Sequence, residues 1–274
     1  MHKNLKNVTI CIEVMVMDQK QRLAKILELL EEKKKLSQIE IAEFFSISKD
    51  TARRDILLLA ESNLVERYRG GITLPYTKAK IEKYTERLIT HAPEKERLAK
   101  LAITRFMKNN MTIMLDVSTT VNFIAQHIRQ EHILLVTHSI DNALACSQTN
   151  EKNRIFLLGG FFNPASHMLA GPSIVEQLDQ FEFDVAFIGA LGINSTGIFY
   201  SELDDLYMKK RMIQNARKVC LLVDSSKVNQ TSSFKLDFTG IDCIITTTPF
   251  PNEIEKVLST HNIEVIYEKE GGMK

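Results

Sequence analysis

Seven short apolar runs recur through the last two-thirds of this 274-residue chain, and they narrow the possible folds more than any other feature. They are MTIMLD (111–116), HILLVT (132–137), RIFLLGG (154–160), FDVAFIGA (183–190), KVCLLVD (218–224), DCIITTT (242–248) and IEVIYE (263–268). Each is apolar on both faces, and the stretches between them carry helical spacing or turn residues. Strands of that kind, separated by helices, make a parallel sheet covered on both sides. Residues 91–274 are therefore expected to form a doubly wound α/β domain, with helix starts capped at Ser173 and Asn252.

Such sheets bind ligands beyond the carboxyl ends of their strands, so the loops there matter most. Asp116-Val117-Ser118-Thr119-Thr120 leads from the first run into a helix and offers hydroxyls and helix N-terminal N–H groups, which suits a phosphate. Thr137-His138-Ser139 follows the second run in the same way. Gly159-Gly160 ends the third and Gly189 the fourth. Asp224-Ser225-Ser226-Lys227 closes the fifth, where Lys227 can serve an anion as a point charge. Taken singly, these features are ordinary: a Ser-Thr-Thr run usually caps a helix, a strand-end lysine is usually solvated, and Gly-Gly usually turns. Their convergence at one end of a sheet makes an anion pocket the expectation.

The chain before residue 91 follows another pattern. From Asp18 onward Leu23, Ile26, Leu27 and Leu30 fall three and four apart, until the run Lys33 to Lys35 ends the helix. Ser37 stands three residues before Glu40, a capping box opening a short helix to about Phe44. Ser48 caps a third helix, Ile47 is its apolar staple, and Ala52, Ile56, Leu59 and Ala60 share its inner face. Asn63 is expected to end it as a left-handed cap, and LVERYRGGI reads as a two-stranded hairpin. Three short helices and a hairpin make a winged helix-turn-helix over 17–73, leaving 74–90 as a linker.

That arrangement gives the polar side chains a purpose. Ser48, Lys49, Thr51, Arg53 and Arg54 sit in the leading half of the helix that enters a major groove, where arginine reads guanine or phosphate and hydroxyls reach either. Arg69, Gly70 and Gly71 would let the wing's backbone approach a phosphate. The bland alternative has the two arginines merely solvating a helix face and pairing with Asp50 or Asp55.

Composition restricts the remaining classes. With 44% hydrophobic and 25% charged residues, the chain can bury a full core. The net charge of +1 hides a basic first part, with 17 Lys+Arg against 13 Asp+Glu in residues 1–90, and an acidic remainder. Cys11, Cys146, Cys220 and Cys243 lack C-x-x-C spacing and sit in apolar runs, as buried thiols of a reducing compartment do. No apolar run nears the roughly 20 residues of a membrane span. VTICIEVMVM is broken by Glu13 and lacks a cleavage pattern, so a cytoplasmic protein is expected, with Met17 as its native start. A G-x-S-x-G elbow and close His/Cys ligand spacing are both lacking, and GALGIN misses the third glycine of a dinucleotide loop.

Residues 18–73, with SKDTARRDI and then ERYRGGI, resemble the N-terminal domain of the DeoR family of bacterial transcription regulators. Ala52 and Asn63 stand where that family usually has a branched residue and a glycine. The resemblance continues over 91–235 in IMLDVSTTV, LLVTHSIDNA, LLGGFF, AGP, FDVAFIGALGI and LLVDSSKV. It implies a sensor domain similar to ribose-5-phosphate isomerase that binds a phosphorylated sugar or related metabolite. Carried onto matching positions, the effector contacts are Asp116, Ser118, Thr119, Thr120, Thr137, Ser139, Gly189 and Lys227, with Glu202 and Lys209 as further candidates. The family commonly has Ser-Gly at Val117-Ser118 and Asn at His138.

The function implied is a repressor of sugar-metabolism genes that acts on double-stranded DNA as a homo-oligomer, without metal or cofactor. The rival class is a sugar-phosphate isomerase carrying a nucleic-acid-binding module. Its proton shuttle needs carboxylates beside the phosphate pocket, and Gly189-Ala190-Leu191-Gly192 stands where those isomerases have Gly-Ala-Asp-Glu.

Overall fold

The computed structural model describes residues 18–33, 35–62, 64–73, 77–78 and 84–268. It divides into two compact units, Met1–Tyr76 and Thr77–Lys274. The expectations for Met17, Cys11 and the Asn63 cap lie outside the described residues.

The first unit runs α1 (Gln19–Lys33), β1 (Lys35–Ser37), α2 (Gln38–Phe44), α3 (Lys49–Glu61), β2 (Glu66–Tyr68) and β3 (Gly71–Thr73). Ser37 and Glu40 cap α2 reciprocally, and Ser48 caps α3 by accepting from the Thr51 amide. These bonds satisfy backbone donors that a helix start leaves open. Ile26, Leu30, Ile41, Ala52, Ile56 and Leu59 form the core with Ile72 from the wing. The wing has a strand more than the two expected: β1 pairs antiparallel with β3, setting Leu36 against Ile72 in a sheet ordered β1-β3-β2. Lys-Leu-Ser holds one apolar residue and so carries no periodic signal of a strand.

The second unit begins with β4 (Thr77–Lys78), α4 (Tyr84–Ile89), α5 (Ala92–Phe106), β5 (Thr112–Leu115), α6 (Thr119–His127), β6 (Leu134–Thr137), α7 (Ile140–Ser147) and β7 (Arg154–Leu157). It continues with β8 (Phe161–Asn163), β9 (Met168–Ala170), α8 (Pro172–Leu178), β10 (Val185–Gly189), β11 (Gly192–Asn194), β12 (Gly197–Tyr200) and α9 (Leu203–Gln214). It closes with β13 (Val219–Val223), β14 (Gln230–Thr231), β15 (Phe234–Leu236), β16 (Cys243–Thr246), α10 (Asn252–Thr260) and β17 (Glu264–Tyr267).

Each of the seven apolar runs holds one strand of a parallel sheet ordered β17-β16-β13-β10-β5-β6-β7. Side chains of α5, α6 and α7 fill the core on one face, and those of α8, α9 and α10 the core on the other, as a doubly wound fold requires. Cys146, Cys220 and Cys243 are buried thiols.

Three local expectations are corrected. The helices near Ser173 and Asn252 begin without a side-chain cap: Pro172 holds the first position of α8, and Pro251 precedes α10. Proline suits a helix start because its missing N–H would have been unpaired there anyway. The stretch 74–90 also contributes structure to the second unit, since β4 pairs with β14 and Tyr84 of α4 is buried. Finally, β11, β12 and β15 form a small antiparallel sheet that the apolar runs do not announce. Among the described residues no helix is long and apolar enough to cross a membrane.

Candidate functional site

The leading end of α3 is built to face outward. Ser48 Oγ accepts from the Thr51 amide at 3.1 Å and lies 2.9 Å from Thr51 Oγ1, so the two hydroxyls fix the start of the helix. Lys49, Arg53 and Arg54 are exposed beside them. Neither arginine pairs with Asp55, which is buried and instead accepts from Arg22 Nε at 2.7 Å and from Gln19 Nε2 at 3.1 Å. That hydrogen bond, against the pull of burial, holds the Arg22 guanidinium above its ordinary pKa. Among the described residues Arg53 and Arg54 have no ion-pair partner, so the motif splits its labour: the arginines stay in solvent while the aspartate ties α3 to α1. At the wing tip Gly70 takes φ +107°, Arg69 is exposed, and the Gly70 carbonyl accepts from the Gln38 amide at 2.8 Å.

The second unit offers a cleft at its topological switch point. The chain leaves β5 toward β6 and β7 on one side, and from β10 it winds toward β13, β16 and β17 on the other, so the order reverses between β5 and β10. Asp116 follows β5 and Gly189 ends β10. Both line a cleft of about 510 Å³, counting its solvent-filled mouth, together with Ser118, Tyr200, Glu202, Asp205 and Lys209. Gly189 is obligatory there: a Cβ would stand 2.1 Å from Ser118 Oγ.

Lys209 organises the floor. Its ammonium is buried, donates to Asp116 Oδ1 at 2.6 Å and Asp205 Oδ1 at 2.5 Å, and lies 5.0 Å from the centre of the Tyr200 ring. Burial works against its charge, but the two carboxylates outweigh burial and hold its pKa above the ordinary lysine value. Asp116 Oδ2 accepts from the Gly189 amide at 2.9 Å, which joins the ends of the two switch-point strands.

His138 lies alongside, fully buried, with neither ring nitrogen hydrogen-bonded. Burial first, and then the Lys209 charge, push its pKa down to about 3, so it is neutral. Asp116, His138 and Asp205 each place a ligand atom within 4.8 Å of the others, and the Lys209 ammonium already lies against both carboxylates, offsetting one of their two charges. Three further polar atoms in the lining residues are buried without a partner: Arg87 Nε, Ser166 Oγ and the Tyr200 hydroxyl. Unpaired buried donors and acceptors cost stability, which a ligand's polar groups can recover.

The structure brings some sequence-derived candidates together and separates others. Asp116, Ser118, Gly189, Glu202 and Lys209 share the cleft. Thr119 and Thr120 are buried in the first turn of α6, where Thr119 Oγ1 accepts from Lys95 Nζ at 3.1 Å. Thr137 donates its hydroxyl to the Leu115 carbonyl at 2.7 Å, and Ser139 caps α7 through the Asn142 amide at 3.2 Å. Lys227 lies on the 3-10 turn Ser225–Lys227, whose Ser225 amide is held by Glu94 Oε1 at 2.6 Å, outside the cleft lining. Sequence reasoning missed Arg87, Ser166, Tyr200 and Asp205. Only Asp205 left a trace, standing four residues before Lys209 on one helix face.

Comparison with known proteins agrees with this division. Residues 22–78 match the DeoR-like helix-turn-helix domain, and residues 90–248 match the DeoR C terminal sensor domain. The HTH-type transcriptional repressor GlcR of Bacillus subtilis is 36% identical, over 86% of this chain and 91% of its own length. The glycerol-3-phosphate regulon repressor of Escherichia coli is 30% identical, over 91% of this chain and 99% of its own. A solved ribose 5-phosphate isomerase from Methanocaldococcus jannaschii aligns over 50% of this chain and 55% of its own at 20% identity, with a TM-score of 0.36. With both domain models matched in order and relatives aligned along nearly their whole length, this chain belongs to the DeoR family of transcriptional regulators and is not an enzyme.

Proposed function

We propose that this chain represses sugar or polyol metabolism genes by binding operator DNA as a homo-oligomer, and that a phosphorylated sugar or polyol in the switch-point cleft releases it. The observation that carries the reading is the separation of cations: Arg53 and Arg54 stand free in solvent on α3, whereas Lys209 is buried among carboxylates at the cleft floor. Exposed guanidiniums at a helix's leading end suit phosphates and base edges. Asp205 and Glu202 suit the hydroxyls of a polyol, and Arg87 and Ser118 suit its phosphate. One relative is named for the regulon of glycerol-3-phosphate, a phosphorylated polyol. Of the sequence-derived contacts, Asp116, Ser118, Gly189, Glu202 and Lys209 touch the effector in this reading. Thr119, Thr120, Thr137 and Ser139 hold the loops behind them.

The test is fluorescence anisotropy with the DNA upstream of the chain's own gene and its neighbours, titrated with phosphorylated and plain sugars. Tight binding released only by a phosphorylated compound is expected. Binding indifferent to every phosphorylated sugar and polyol would overturn the effector reading, and failure to bind any fragment at low salt would overturn the operator reading.

A further inference from the structure

An open sheet has two edge strands, and this one treats its edges differently. At β17 the edge is guarded by charge. Arg105 faces Glu264 at 3.6 Å, Arg97 donates to Glu268 at 2.8 Å, and the Tyr267 hydroxyl donates to Glu255 at 2.8 Å. Charged side chains on an edge discourage pairing with another strand. Among the described residues no such guard stands at β7. The amides of Arg154 and Leu158 bond inward to the Ile133 and Thr137 carbonyls, so the alternation of the ladder turns those of Ile155 and Leu157 outward. Phe156 and Leu157 are exposed on this strand, and Arg154 is its one charge.

The apolar surface continues past the strand. Phe161 and Phe162 of β8 are exposed directly after it, and Leu144 is exposed on α7, which packs along β7. The Phe162 ring lies 6.0 Å from that of His167, and His167 Nδ1 lies 2.8 Å from Asp141, one turn before Leu144. Phe161 is 82% exposed, Leu144 58%, Phe162 46%, and Phe156 and Leu157 40% each. Phe156, beside the Phe181 ring, and Leu157 alternate to opposite faces, so the apolar surface flanks the edge on both sides; at roughly 200 Å² for a large side chain the five residues expose about 500 Å² in all. A stable interface takes roughly 800 Å² from each partner, about 60% of it apolar, so the patch matches what one subunit of a dimer supplies.

We propose that β7 and the β8–β9 hairpin form the face on which a second copy of this chain docks, edge to edge about a two-fold axis. An edge strand is complementary to itself when reversed. An axis at Phe156 sets Ile155 of each copy opposite Leu157 of the other, which joins the outward amides and carbonyls and leaves Arg154 at the rim. A second copy is also what the first unit calls for, because one winged module reads too few base pairs to select an operator and two modules read repeated half-sites. The hairpin meanwhile lends Ser166 and Met168 to the cleft, so one element serves both the cleft and the docking face.

The proposal rests on the oligomeric part of the reading above. The mass of the wild type tests that part, and surface variants test the face. Sedimentation equilibrium of the full chain is expected to give a multiple of 31.3 kDa. Leu157→Lys at the edge and Phe161→Lys on the hairpin are each expected to lower that mass at least twofold while keeping the wild-type circular dichroism spectrum. Tyr207→Lys, an exposed position on α9, is expected to keep the wild-type mass. Dissociation of either folded variant supports the face. A single-chain wild type, retention of the full mass by both variants, or equal dissociation by Tyr207→Lys would overturn it.

Discussion

The first unit keeps Arg53 and Arg54 in water and buries an acid, Asp55, whereas the second unit buries two lysines, Lys95 and Lys209, alongside the acids Asp116 and Asp224, and leaves Glu202 and Asp205 partly open at the cleft. The contrast fits the size of what each unit is proposed to meet. A duplex is a long polyanion that never enters the protein, so cations must wait at the surface, where phosphates displace counterions rather than hydration bound in a pocket. A small ligand is engulfed. Groups that recognise it must be held in place beforehand, and a buried ammonium between two carboxylates costs desolvation but fixes direction. Charge placement therefore separates the two kinds of recognition more clearly than charge number, since the whole chain carries only +1.

The sharpest way to break this comparison is to remove the buried cation. Lys209→Met should cost the second unit about 3–5 kcal/mol, because Asp116 is left buried without its counter-charge. Denaturant unfolding measures it. The loss should shrink in acid: His138 faces the same two carboxylates, and without the neighbouring ammonium it takes up a proton at a higher pH than its present value of about 3. A loss under 1 kcal/mol, or one that grows in acid, would mean that the network is not what orders the cleft. Next comes Asp55→Ala, expected to cost about 2–3 kcal/mol, below the full penalty for a buried pair because Arg22 can reach solvent.

The surface arginines should behave in the opposite manner. Arg53→Ala and Arg54→Ala should each change stability by less than about 0.5 kcal/mol yet weaken operator binding by about 1–3 kcal/mol if a base edge is read. A salt titration separates the two kinds of contact, since loss of a phosphate contact lowers the salt dependence and weakens all sequences alike. An arginine variant that unfolds easily and binds normally would invert the comparison.

How far the sequence could announce this depends on which residues depend on distant partners. All seven parallel strands were legible because burial on both faces turns each into an unbroken apolar run, and the caps at Ser37 and Ser48 were legible because each bonds within three residues. From the residues themselves the cleft was legible where it coincides with strand ends, at Asp116, Ser118 and Gly189, while Glu202 and Lys209 entered only through the family resemblance. Lys209 meets Asp116 across 93 positions, and Lys95 meets Thr119 across 24, and no local spacing encodes either pairing. Lysine is also a residue type rarely buried, so residue type gives no hint that either is. Arg87 was hidden for a different reason: it lies in a stretch without a sustained apolar face, read as a linker, though Tyr84 anchors that stretch in the second unit.

The smallest expected effect tests the acid side of the cleft. Glu202 is half-buried, receives a long hydrogen bond from Asn163 Nδ2 at 3.4 Å, and faces Asp204 and Asp205, with Arg87 opposing them. Burial first, then Asp205 and Asp204, raise its pKa above the ordinary 4.5. A carboxyl whose folded pKa is raised favours the fold fully below its unfolded value and loses that contribution as pH rises through the folded one. At neutral pH Glu202 therefore costs stability, and Glu202→Gln, which keeps its shape without its charge, should be slightly more stable than the wild type at pH 7 and indistinguishable below 4.5. Urea midpoints across that range measure it. A dianionic effector adds a like charge beside Glu202 and raises its pKa further, so wild-type effector affinity should tighten as pH falls toward the raised value, and the variant should lose that part of the dependence. A variant less stable than the wild type at pH 7 would show the carboxylate paired with a cation instead, and the cleft would then be arranged as the DNA-facing surface is not: with its acids as well as its cations already neutralised before any ligand arrives.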